Sequence, residues 1–399
     1  MKKTLLTMAL LMTSSMAWAG GYQLQEYSIT NLGRSFAGAG MVGDDYSAIA
    51  FNPAGMQLNG TGLQLGATYA HIRATTKGSL TGASGTTYGV GELHANKLIP
   101  HFFGQKKIND RLTLGGGVYV PFGLGTYYNN KNWFGASHAI NSEITTQDFA
   151  VAGAYKLTDK LTIGASFFLE YLEARLTSTA NDMNAHDNTT PGYNVGLMYQ
   201  PAANTRLGIT YRSKTIHQIK GPHYLKGAYG DCGTKLIMPE HVLMSAYHKM
   251  DKWGFSAMAR WTRWSRFSKL NIWSDTVSIL THGTSRYAPE VDEDWKNVWM
   301  ISGGLDYDVN NNWTVRTGLA WDEGAVKRSR TRTARVPDTN RWIASVGASY
   351  KAGPWQWDAG YSRVFMRRAL VSNPLNGTTL NAKYRMGIDL VGVSMQYTF

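Results

Sequence analysis

The chain ends on an alternation that few folds can use. Val391, Val393, Met395, Tyr397 and Phe399 share one face of an extended strand. Leu390, Gly392, Ser394, Gln396 and Thr398 share the other. The first face is apolar and aromatic, the second small and mostly polar. Such a strand suits a wall with lipid on one side and a polar interior on the other, which is a strand of a transmembrane β-barrel.

About fourteen segments carry this kind of pattern: 62–74, 94–107, 111–121, 142–156, 160–177, 190–200, 203–217, 236–249, 252–264, 293–308, 312–322, 341–351, 354–365 and 384–399. Each is long enough for a tilted strand to cross a bilayer. The connections alternate strictly. Tight turns at Asn109-Asp110, Thr158-Asp159, Pro201-Ala202, Met250-Asp251, Asn310-Asn311 and Ala352-Gly353 take turns with long polar loops. The loops are expected at 75–93, 122–141, 178–189, 218–235, 265–292, 323–340 and 366–383. Outer-membrane barrels have short periplasmic turns and long extracellular loops, so the pattern puts both chain ends in the periplasm. A soluble β-sandwich needs neither this alternation nor so many aromatic strand ends, among them Tyr69, Tyr155, Tyr199, Trp253, Trp313, Trp342 and Trp355. The expected fold is all-β: an antiparallel barrel over residues 61–399. The terminal aromatic residue resembles the signal read by the bacterial barrel-assembly machinery.

The N-terminus agrees. Lys2-Lys3, an apolar run from Leu5 to Met12 and the small-x-small site Ala17-Trp18-Ala19 read as a cleaved signal peptide over 1–19, too short to anchor in a membrane. The lone Cys232 falls in an expected loop and has no partner for a disulfide. A net charge of +13 would suit nucleic acid, but the basic residues form no stripe. Scattered among aromatic strand ends, they fit the anionic lipopolysaccharide of a Gram-negative outer membrane instead. No His/Cys/acid spacing suggests a metal, and no cofactor is expected.

Residues 20–60 fit neither a strand nor a globular core. Their Gly and Ala content would let them pack against strand backbone as a plug, or leave them as a disordered periplasmic tail. The order and spacing of Gly21-Tyr22-Gln23-Leu24, Glu26, Ser28, Leu32-Gly33-Arg34, Ala37-Gly38, Asp44-Asp45 and Asn52-Pro53-Ala54 decide between them. This series resembles the hatch of the FadL/TodX family of outer-membrane transporters for hydrophobic molecules. The resemblance implies a monomeric barrel of fourteen strands with the hatch in its lumen. It implies passive uptake of long-chain fatty acids or similar molecules: capture among extracellular loops, passage to a pocket beside the hatch N-terminus, and lateral release beside a kinked third strand. Tyr22 stands where the family usually has Phe, and Asn31 where it often has Gly. Aromatic hydrocarbons, as in TodX-like channels, are the alternative cargo.

Several residues are expected to serve that mechanism. Tyr22, Leu24, Arg34, Asn52, Pro53 and Ala54 belong to the hatch and its ligand site. Gly115, Gly116, Gly117, Pro121 and Gly123 would kink the third strand, or make room for the hatch. The apolar loop residues Phe122, Leu124, Tyr127, Tyr128, Trp133 and Phe134 would form the entry, or pack loop on loop. Charges on the inward parity (Glu170, Arg212, Arg260, Asp306, Arg316, Asp322, Asp358) should form networks, with Arg260 or Arg316 left to hold a carboxylate. A barrel lipase would need a nucleophile–base pair on one strand face, which the sequence lacks. A general porin would need an unplugged lumen.

Overall fold

The computed structural model describes residues 20–288 and 290–399; the expected signal peptide lies outside them. Period-two patterning becomes fourteen antiparallel strands: β1 Gly62–Gly82, β2 Gly85–Lys107, β3 Leu112–Tyr119, β4 Asn141–Lys156, β5 Leu161–Ser178, β6 Asn181–Ala202, β7 Thr205–Arg212, β8 His241–Met250, β9 Trp253–Thr262, β10 Val298–Asp308, β11 Trp313–Asp322, β12 Arg341–Ala352, β13 Trp355–Met366 and β14 Thr378–Thr398. β1 pairs with β14 from Gly62–Thr398 to Thr81–Thr379, which closes the barrel. In β14, Val391, Val393 and Met395 point outward, while Leu390, Gly392, Ser394 and Gln396 are buried inward.

Four of the seven expected loops are largely strand. The polar stretches 75–93 and 178–189 continue their strands as hairpins beyond the bilayer. Thr215–Leu225 and Ala228–Met238 pair around Lys226-Gly227, and Ala369–Leu375 pairs with β14 around Asn376-Gly377. Both central residues of these last two turns have positive φ, the type I′ geometry that matches strand twist. Cys232 therefore lies buried in a paired segment, not in a loop. The strand expected at 293–308 starts only at Val298, and those at 203–217 and 236–249 are interrupted at residues 213–214 and 239–240.

Before β1, the chain forms two single-turn helices, α1 Ile29–Leu32 and α2 Ala48–Phe51, and a 3-10 turn Pro53–Leu58. α1 contacts β1, β12, β13 and β14, while the 3-10 turn contacts β3, β4, β5 and β6 on the other side. The segment thus lies within the ring of strands and is almost wholly buried. Small wall residues permit this. A Cβ on Gly318 would sit 2.1 Å from the Arg34 backbone, and one on Gly164 2.2 Å from the Ala54 nitrogen.

Candidate functional site

The wall is continuous except beside β3. β2 and β3 pair from Lys107–Thr113 to Phe102–Val118, and the next contact of this kind is the single bridge Leu93–Tyr128. Between them the chain leaves the wall. Tyr119, Val120, Pro121 and Phe122 are all buried, which breaks the in–out alternation. Pro121 has no N–H to lose from the ladder. The chain then rejoins β4 at Gly123–Thr145, one residue out of step with Tyr119–Asp148. The three glycines are not the break: Gly115, Gly116 and Gly117 stay in regular pairing with β2 and β4. A Cβ on Gly115 would lie 2.6 Å from Gly104 O of β2 and 2.9 Å from Met56 Cε of the N-terminal segment, so this glycine makes room for both.

The displaced strand finds a partner in the N-terminal segment. Leu24 N–H donates to Pro121 O (2.7 Å) and Gly123 N–H to Tyr22 O (2.8 Å), forming a bridge centred on Gln23 and Phe122. Residues 22–24 and the gap in the wall are therefore one hydrogen-bonded unit. On the gap's far side, Lys97 of β2 meets Glu143 (3.0 Å) and the Tyr127 hydroxyl (3.0 Å).

Above this unit is an apolar slot. Tyr22, Leu124, Ile144, Leu176, Ile219 and Phe267 line it, with Met183, Leu236, Leu270 and Val336 completing the walls. The slot is nearly closed, with a cavity volume of about 40 Å³. A long ligand must spread it. The Tyr22 ring lies 4.6 Å from Trp264, 5.6 Å from Trp295 and 6.3 Å from Phe267. Its hydroxyl is buried with no hydrogen-bond partner among the described residues, a polar group waiting for one.

Two ionisable groups from extracellular loops also face the slot, Glu293 and Arg335. Among the described residues Arg335 donates through Nη1 alone, to Asn141 O (3.1 Å), Ser142 Oγ (2.9 Å) and Thr177 O (3.2 Å). Among the described residues no carboxylate lies within ion-pair distance of it. Burial lowers its pKa to about 10, so it stays charged at neutral pH. Burial pushes the Glu293 carboxyl up to about 8, against the pull of the Trp295 indole N–H (3.0 Å) and Arg335. The slot holds a guanidinium with unused donors and a carboxyl that is mostly protonated at neutral pH.

The expected anchors fare differently. Arg316 is neutralised: it meets Asp44 (3.1 Å) and Asp306 (3.3 Å), and donates to Ser349 Oγ (2.6 Å). Arg260 is buried with no carboxylate in ion-pair distance among the described residues, and its one hydrogen-bond acceptor is Met300 Sδ at 3.6 Å. It does not line the slot. Arg335 was missed because it sits in an Arg-rich polar loop.

Of the six hatch candidates only Tyr22 lines the slot. Leu24 pairs with the displaced strand, and Arg34 is locked to Asp44 (2.7 Å) and Asp306 (3.1 Å). Asn52 Nδ2 donates to Leu197 O (3.1 Å), while its Oδ1 accepts from Ala54 N–H. Asn52-Pro53-Ala54 seats against Gly164 and Gly196, neighbours across β5 and β6, far from the slot walls. The entry candidates are not an exposed patch. Phe122 and Leu124 turn into the lumen. Tyr128 stacks on Trp133 at 3.9 Å, Phe134 packs on Trp133, and Tyr127 braces Lys97. The loop folds onto itself because its own apolar rings cover each other.

The geometry is that of a plugged outer-membrane barrel with an apolar slot and a wall gap. A family model described as "Outer membrane protein transport protein (OMPP1/FadL/TodX)" matches residues 10–399. The chain belongs to this family. It is 26% identical over 404 residues to the long-chain fatty acid transport protein of Escherichia coli K12, covering 87% of this chain and 88% of that protein. It is 27% identical over 440 residues to the 47 kDa outer membrane protein of Pasteurella multocida, covering 100% and 98%. Among solved structures, a Pseudomonas aeruginosa FadL homologue superposes with a TM-score of 0.86 at 24% identity, over 95% of this chain and all of that one. The Pseudomonas putida toluene transporter TodX gives 0.69 at 17% identity, over 95% and 99%. Both structures share the fold. As a member, this chain is an outer-membrane barrel protein for transport of hydrophobic compounds.

Proposed function

We propose that this protein admits long-chain fatty acids by passive diffusion, with residues 20–60 as the hatch. The carrying observation is Arg335: a charged group with unused donors facing an otherwise apolar slot suits an acyl chain ending in a carboxylate. Moving such a chain through water would cost about 0.8 kcal/mol per CH₂, so the wall gap beside Val120–Phe122 serves as a sideways exit into the membrane. Ligand in the slot presses on Tyr22. Because residues 22–24 are bonded to the displaced strand, that push reaches the gap.

The test is uptake of labelled oleate by cells lacking their own transporter. The intact chain is compared with Lys97→Cys/Glu143→Cys bridged by a short bifunctional reagent across the gap. Uptake that stops on bridging, with oleate binding retained, is the expected result. Unchanged uptake would remove the sideways exit; no uptake by the assembled intact chain would remove the fatty-acid reading.

An uncharged aromatic cargo is the second reading, favoured by the rings around Tyr22. The pH dependence separates the two. Glu293 carries its proton below about 8 and can donate to a carboxylate; above it, the anion repels the ligand and occupies Arg335. Oleate affinity should therefore fall as pH rises through about 8, and Glu293→Gln should flatten the fall in a binding titration. A neutral aromatic should show no such trend.

The Ser274–His223–Asn181 array among the loops reads as structural rather than catalytic. Ser274 Oγ lies 2.7 Å from His223 Nδ1, and His223 Nε2 lies 2.6 Å from Asn181 Oδ1. But Ser274 is fully buried and caps the short helix α3 (Asp275–Leu280) through Thr276 N–H. The array staples loops together.

A further inference from the structure

The outer wall of β13, β14, β1 and β2 turns basic toward the extracellular hairpins, with exposed Phe365, Leu370 and Val90 persisting at the levels of Arg73, Lys383 and Lys77. One cross-strand level reads Tyr361, Val391, Tyr69 and Leu98, all exposed and apolar or aromatic. The next level toward the extracellular hairpins reads Arg363, Asp389, His71 and Asn96. Above it come Arg73, then Arg385 opposite Thr75, then Lys383 directly opposite Lys77. Arg73 is roughly 28 Å up from Gly62, at about 3.3 Å rise per residue and about 40° tilt. An outer-membrane apolar band is about 25 Å tall. These basic side chains therefore begin where the hydrocarbon ends.

Asp389 is already taken by Arg363 and Arg73. Lys77, Lys383 and Arg385 are exposed, and among the described residues none has a carboxylate within ion-pair distance. Glu92, beside Thr75, is the one other acid at these levels. Like charges directly opposite each other on a sheet face repel. Among the described residues no carboxylate relieves Lys77 against Lys383, and the face is turned outward. An anion from the surrounding leaflet would.

We propose that this face, centred on Lys77, Lys383, Arg385 and Arg73, binds the phosphorylated sugar head group of an outer-leaflet glycolipid, with its acyl chains lying on the apolar level below. The charge is complementary, and the basic surface is continuous with the lipid-facing band. A soluble anion would match the charge but not the apolar level beneath it.

The test uses purified, folded protein in detergent, titrated with diphosphorylated lipid A and followed by native mass spectrometry. Lys77→Gln/Lys383→Gln should weaken binding about 30-fold, in keeping with the usual contribution of two basic residues at a lipid surface. Lys160→Gln/Lys252→Gln, at the opposite end of the barrel, should leave it unchanged. Dephosphorylated lipid A should bind the parent as weakly as lipid A binds the first variant. Equal binding of the two lipids, or an unaffected Lys77/Lys383 variant, would overturn the proposal. Retained heat-modifiable migration on gels shows that the variants are folded.

Discussion

Replacing Arg335 by Gln lowers the affinity for oleate by roughly 10- to 100-fold and leaves that for an uncharged hydrocarbon of similar length unchanged. The magnitude follows from the ordinary worth of a hydrogen bond to a charged group, about 1.5–3 kcal/mol. It belongs at the upper part of that range because the slot is apolar. The partition between ligands is the informative part. Arg335 also ties its loop to Asn141, Ser142 and Thr177, so a collapse of the slot would weaken both ligands together. Gln keeps a donor for those contacts while removing the charge. Fluorescence titration with oleate and with a matched alkyl chain separates the outcomes. Equal losses would make Arg335 a structural brace, and no loss would move the head group elsewhere, with the buried Arg260 next in line.

The barrel was legible because its signal is local. A strand's two faces are written in adjacent residues, so Val391 to Met395 announce their orientation without reference to any partner. The interior charge networks followed from the same parity: Arg212 meets Asp148 and Glu170, and Asp358 accepts from Ser394 and Gln396. The slot was not legible. Met183, Ile219 and Thr234 come from stretches read as loops, where polar outward residues hid the continuing period. The alternation Cys232, Thr234, Leu236 and Met238 was the available clue, since all four are buried. Arg335 is one of several arginines between residues 328 and 341, and which of them turns inward depends on the packing of Val336 against the slot, a tertiary fact. The third strand misled for a different reason. Glycine marks close approach as well as bends, and at Gly115 the approach of the Gly104 carbonyl, with Gln105 and Met56 just beyond it, is what demands it.

The interior charges also hold the largest stability effect. Arg34 and Arg316 share Asp44 and Asp306, so two guanidiniums and two carboxylates balance in a buried cluster that ties the N-terminal segment to β10 and β11. Asp44→Ala leaves both arginines on Asp306 alone. Breaking a buried pair from one side costs about 3–5 kcal/mol. Because Asp44 is on the segment and Asp306 and Arg316 are on the wall, the strain falls on the attachment, not on the barrel ladder. The segment should loosen while the strands persist. Planar-bilayer recordings should then show conductance that the parent lacks, and protease added from the periplasmic side should cut within residues 20–58. Adding Arg316→Met to Asp44→Ala returns the cluster to one arginine and one carboxylate, Arg34 with Asp306. The double variant should therefore be tighter than the single one. A double variant as leaky as Asp44→Ala would mean that charge balance is not what holds the segment, and would shift the weight to the Asn52 bond and the glycine socket at Gly164 and Gly196.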